Sequence, residues 1–174
     1  GIPMTYGGPY VGYLACTNAH VRKLPGRIAG ATTDVDGKRA FVLTLQAREQ
    51  HIRREKANSN ICSNQSLMAL WVTIYISVMG NKGLNDACSL SYSGAHYLAQ
   101  QLVATGKCTM AYDKPFFNEF AVKTTVPAQQ VLEALLANGI LGGVRIADDT
   151  LLVCVTEQRS KAEMDKFVEI VSNI

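Results

Sequence analysis

The chain has 174 residues, 48% apolar and 18% charged, enough apolar material for a core and too much for a disordered or collagen-like polymer. Its formal charge of +3 is too small to imply nucleic acid by itself. No uninterrupted apolar run reaches the ~18 residues of a membrane helix. The opening Gly1-Ile2-Pro3-Met4 carries neither an initiator Met nor a basic leader, so it reads as the middle of a longer protein.

Charge is unevenly spread. Residues 1–56 hold nine Lys and Arg against four Asp and Glu; residues 57–174 hold eight against ten. Five cysteines, without C-x-x-C spacing, read as reduced thiols of a cytoplasmic compartment. His20, His51 and His96 stand too far apart for a metal motif, so no metal is expected.

In chain order, Gly7-Gly8-Pro9 reads as a loop and Tyr10–Cys16 as a buried strand. Asp36-Gly37 predicts a hairpin turn between Ala31–Val35 and Lys38–Leu45. Residues 46–56 have helix formers but almost no apolar face. A helix is predicted over Cys62–Met79, with Leu67, Leu70, Trp71, Ile74, Tyr75 and Val78 on one stripe and Met68, Val72, Ile76 and Met79 on a second. A helix apolar on so many sides is expected to be buried on most of them, Leu67 and Trp71 included. Gly80-Asn81-Lys82-Gly83 is expected to stop it, and a second helix to run over Leu84–Thr105 and end at Gly106.

The last third alternates. Phe116–Thr125 predicts a strand and Pro127–Asn138 a helix with proline at its start. Val144–Ala147 and Leu151–Thr156 predict a hairpin across Asp148-Asp149. Ser160–Ile174 predicts an amphipathic helix whose Ser160 and Glu163 form a capping box. The three strands should share one antiparallel sheet, with both helices on one face, a small α+β sandwich.

Most chemical motifs here have a plain structural reading. Gly7-Gly8-Pro9 lacks G-x-G-x-x-G or Walker spacing and is a turn. Arg48–Lys56 lacks interleaved aromatics and contains Glu49 and Glu55, so no nucleic acid is expected. Cys62, beside a helix start, has no adjacent base, and His96 reads as an ordinary helix residue. Asn58-Ser59-Asn60, with Ser63 and Asn64, is the informative group. Hydroxyls, amides and helix-start N–H groups beside Arg53, Arg54 and Lys56 suit a phosphate or carboxylate. Simple helix capping is the other reading.

The run Gly37–Gln65, above all Gln-Ala-Arg-Glu-Gln-His-Ile-Arg-Arg-Glu-Lys-Ala, closely resembles the P-protein family of the glycine cleavage system, glycine dehydrogenase (decarboxylating). Pro3-Met4-Thr5-Tyr6-Gly7-Gly8-Pro9-Tyr10 and Leu24-Pro25-Gly26-Arg27 agree in the same order. Tyr10–Cys16 is more similar to subunit 1 of the two-subunit bacterial form than to the single-chain form. Past about residue 80 the resemblance is one of pattern.

The resemblance implies an α/β pyridoxal-phosphate-dependent transferase fold, aspartate-aminotransferase-like, of which this is the C-terminal part. Residues 1–56 would end the large cofactor domain, 57–80 would form a connecting helix, and 81–174 a small α+β domain. It implies pyridoxal phosphate held by a Schiff-base lysine in subunit 2. In this chain the corresponding place falls before Gly1, so no catalytic residue is expected here. Asn58, Ser59 and Asn60 would approach the cofactor phosphate across the interface. Implied partners are subunit 2, glycine and the lipoyl arm of the H-protein, with no membrane. The alternatives are another pyridoxal-phosphate enzyme of this fold and a non-catalytic interface module.

Overall fold

The computed structural model describes residues 2–3, 10–45, 49–57 and 65–174. The chain divides into two compact units, Gly1–Tyr75 and Ile76–Ile174.

In the first unit, residues 11–17 form no regular structure and Asn18–Lys23 is a 3-10 helix. The expected strand over Tyr10–Cys16 is therefore absent, and Tyr13 is 97% exposed. An aromatic run forms a strand only where another strand meets its backbone. The predicted hairpin is present: β1 (Ile28–Thr33) pairs antiparallel with β2 (Arg39–Thr44), Ala31 opposite Phe41. Asp34 Oδ1 accepts from the N–H groups of Asp36 and Lys38, and Gly37 takes φ +76°. Phe41, Val42 and Leu43 stay exposed on both faces of this ribbon. The helix expected over 46–56 shrinks to α1 (Gln50–Arg53) and a 3-10 turn over Arg54–Lys56. Without an apolar face it has nothing to pack, and Arg54 at φ +50° ends it. Residues 46–48 lie outside the described residues.

α2 (Ser66–Ala104) joins the two predicted long helices; the first three residues of the Cys62–Met79 prediction lie outside the described residues. Gly80, at φ 62° and ψ −178°, is non-helical and breaks the first helix as expected, while the second helix starts at once at Asn81 and not at Leu84. The Lys82–Asp86 ion pair (2.5 Å) and the Asn85–Asn81 hydrogen bond (3.3 Å) support that restart. By length and mean hydropathy (1.2) α2 could also cross a membrane, although no unbroken apolar run is present. None of the apolar window with that hydropathy is buried in the structure; farther along, α2 buries Ala95, Leu98, Ala99 and Leu102 in the core of the second unit.

Leu67 and Trp71 correct the expectation of burial: they are 68% and 44% exposed, and Leu70 and Ile74 are exposed too. The apolar stripe is real, but burial needs a covering surface, and periodicity says nothing about where that surface comes from. Trp71→Ala in this chain is accordingly expected to cost about 1 kcal/mol or less, against the roughly 3–5 kcal/mol of a core aromatic. Urea titration of the two proteins checks this.

The second unit holds one four-stranded antiparallel sheet, ordered β3-β4-β6-β5. Its strands are β3 (Cys108–Met110), β4 (Glu119–Thr124), β5 (Val144–Ala147) and β6 (Thr150–Cys154). The expected sheet is thus formed, with β3 added; three residues are too few to show a period. β4 starts at Glu119, not Phe116, and β6 ends at Cys154, not Thr156. Phe120 lies opposite Val153 and Val122 opposite Leu151, all on the buried face. α3 (Ala128–Ala137) and α4 (Lys161–Ser172) add Val131, Leu135, Met164, Phe167 and Val171 to the same core.

The ends of these helices follow their sequence signals. Pro127 precedes α3 and offers no N–H, while Ala128 N–H donates to the Asp148 carbonyl of the β5–β6 turn (2.8 Å). Gly139 at φ +77° closes α3: its N–H and that of Ile140 return to the carbonyls of Leu136 and Leu135, a Schellman motif. Ser160 caps α4 and Glu163 returns the bond, as the capping box requires.

Candidate functional site

Asn58, Ser59 and Asn60 lie outside the described residues, as do Cys62, Ser63, Asn64 and the Gly7-Gly8-Pro9 loop. The described flanks lie in the first unit. On one side Glu49 O accepts from Ile52 and Arg53 N–H and opens α1. Arg53, Arg54 and Lys56 then follow, all exposed, and Ala57 leaves in extended conformation. On the other side Gln65 O accepts from Ala69 N–H (2.8 Å) at the start of α2. The cationic turn and the positive N-terminal end of the α2 dipole are each anion-favouring.

The hairpin brings a second set of groups together. Arg27, Thr44, Glu49 and His51, with Leu43, line a cleft of about 160 Å³. Thr44 Oγ1 donates to the Ile28 carbonyl (3.0 Å) and so faces β1. Nothing in the local sequence brings Arg27 to the same cleft as Glu49 and His51.

In the second unit a larger cleft of about 570 Å³ lies between the 139–143 loop, the end of β6 and α4. Leu98, Val153, Val155, Met164 and Phe167 form its apolar wall. Gly143, at φ +122°, lets the loop pass β6, where a Cβ would overlap the Leu152 carbonyl. Arg159 and Glu163 on its rim pair at 3.3 Å, and Lys166 donates to the Asn138 carbonyl (2.9 Å).

Two clusters tie α2 to the rest of this unit. Tyr97 donates to Asp165 Oδ1 (2.5 Å) while Lys161 pairs with Asp165 Oδ2 (2.6 Å). The 68-residue separation hides this contact from any sequence pattern. His96 stacks on Phe116 at 4.1 Å and 7°, and its Nε2 lies 3.2 Å from the Phe116 carbonyl. It is a half-buried packing residue that anchors the 116–118 loop, in keeping with the ordinary role expected of it.

These contacts set the charge states. The hydrogen bonds to Lys161 and Tyr97 hold the Asp165 carboxyl below its usual range, and the bonds from Ser160 do the same for Glu163. Asp165 in turn pushes the Lys161 ammonium upward, which opposes the neutral amine that carbonyl chemistry needs. Burial raises the thiols of Cys108 and Cys154, away from nucleophilic character. Among the described residues no group of three His, Cys, Asp or Glu could hold a metal.

The sign of the acid dependence follows. Asp165 and Glu163 are easier to ionise folded than unfolded, so their contribution is present above the ordinary carboxylate range. It is lost as pH falls through their lowered folded values. Asp165→Asn is expected to flatten the fall in melting temperature between about pH 5 and pH 2. Thermal unfolding across that range, compared with the parent chain, checks it; identical slopes would refute it.

A family model described as the glycine cleavage system P-protein matches residues 1–171. A probable glycine dehydrogenase (decarboxylating) subunit 1 of Desulfitobacterium hafniense is 48% identical over 174 residues, covering 97% of this chain and 39% of that protein. The corresponding Chlorobaculum parvum protein is 46% identical and covers 100% of this chain and 40% of its own length. A crystal structure of glycine decarboxylase (P-protein) of the glycine cleavage system, in inhibitor-bound form, aligns with a TM-score of 0.82 and 38% identity. It covers 98% of this chain and 40% of that one. The chain thus spans about two fifths of the length of the relatives it matches, and the α/β fold expected from the resemblance is borne out. The match runs through both the hairpin unit and the four-stranded unit, and the chain belongs to the glycine cleavage system P-protein family.

Proposed function

We propose that this chain is the C-terminal part of subunit 1 of a two-subunit glycine dehydrogenase (decarboxylating). The observation that carries the reading is the family match over residues 1–171, with 46–48% identity to subunit 1 proteins across nearly the whole chain. The whole enzyme would decarboxylate glycine in the cytoplasm and pass the aminomethyl group to the lipoyl arm of the H-protein. Residues 1–56 would complete the cofactor domain, 57–80 would connect, and 81–174 would form the small domain.

Pyridoxal phosphate, when bound to subunit 2, supplies the electron sink for decarboxylation. This chain's share would be surface and phosphate contacts. Asn58, Ser59 and Asn60 fit a phosphate by chemistry: a hydroxyl, two side-chain amides, and a helix dipole beside Arg53, Arg54 and Lys56. Lys161, kept protonated by Asp165, is poorly suited to form a covalent bond with the cofactor.

Reconstitution tests the proposal. Subunit 2, the whole of subunit 1 and lipoylated H-protein are expected to release carbon dioxide from glycine. Subunit 1 truncated before this region should abolish the rate, while the isolated chain mixed with pyridoxal phosphate should show no new visible absorbance. Full activity of the truncated heteromer would exclude a role in catalysis, and a visible band from the chain alone would overturn the assignment of the cofactor to subunit 2.

A further inference from the structure

We draw no further inference here: the strongest candidate, the 570 Å³ cleft between the 139–143 loop, β6 and α4, has apolar walls and rim charges already satisfied by one another or by the Asn138 carbonyl, so nothing in the structure shows what covers it.

Discussion

Phe120→Ala is expected to remove about 3–5 kcal/mol of folding stability, the usual cost of truncating a buried aromatic. Phe120, the second residue of β4, is 3% exposed. It lies across from Val153, and its ring centroid is 5.4 Å from that of Phe116. Truncation loses the transfer energy of the ring and leaves a cavity between strands whose hydrogen-bond register resists collapse. A domain of this size is held by about 5–15 kcal/mol in all, so the variant should sit close to unfolding at 25 °C. The midpoint of urea unfolding should fall steeply while the slope stays constant. A loss below about 1 kcal/mol would show that the four-stranded sheet does not bury this face. Trp71→Ala is the internal comparison: a larger residue, on a more apolar stripe, with a smaller expected effect.

The second large effect concerns the 58–60 segment. In the whole heteromer, a Ser59→Ala, Asn60→Ala double variant is expected to weaken pyridoxal phosphate binding roughly ten- to a hundredfold for each hydrogen bond lost. Each hydrogen bond to a charged phosphate is worth about 1.5–3 kcal/mol, and about 1.4 kcal/mol is tenfold in affinity. The prediction separates two roles of the same side chains. If they hold phosphate, binding weakens while the cofactor-free melting temperature barely moves. If they serve only the local structure ahead of α2, binding is unchanged and the cofactor-free melting temperature falls. Cofactor titration and thermal unfolding on the same preparations distinguish the two.

Local signals were legible wherever the backbone answers to its neighbours in sequence. Asp34–Gly37 specifies a turn because Gly37 accepts positive φ and Asp34 satisfies two N–H groups. Pro127, Gly139, Ser160 and Glu163 mark helix ends because each supplies or removes one local hydrogen bond. Phe120 and Val122, two apart in β4, likewise mark its buried face, since successive side chains point to opposite sides of a sheet, and the apolar run Leu151–Val155 marks β6. The family is legible too, because the run over residues 37–65 is long and specific.

Tertiary structure decided what depends on distant partners. Tyr10–Cys16 has strand-like residues but no strand formed there, because a strand is completed by another strand's hydrogen bonds. Cys108–Met110 became a strand despite its brevity, because Val122–Thr124 lay alongside it. Gly80 broke the first helix as its sequence predicted, but the second began at once at Asn81 and not at Leu84. The Tyr97–Asp165–Lys161 cluster and the His96–Phe116 stack join residues 20 to 68 positions apart. The stripe of Leu67, Leu70, Trp71 and Ile74 shows the division most clearly. Sequence by itself determined which side of the helix is apolar, through the 3.6-residue period; its exposure was decided by which surfaces meet it in three dimensions, since the hydrophobic effect rewards contact and not composition.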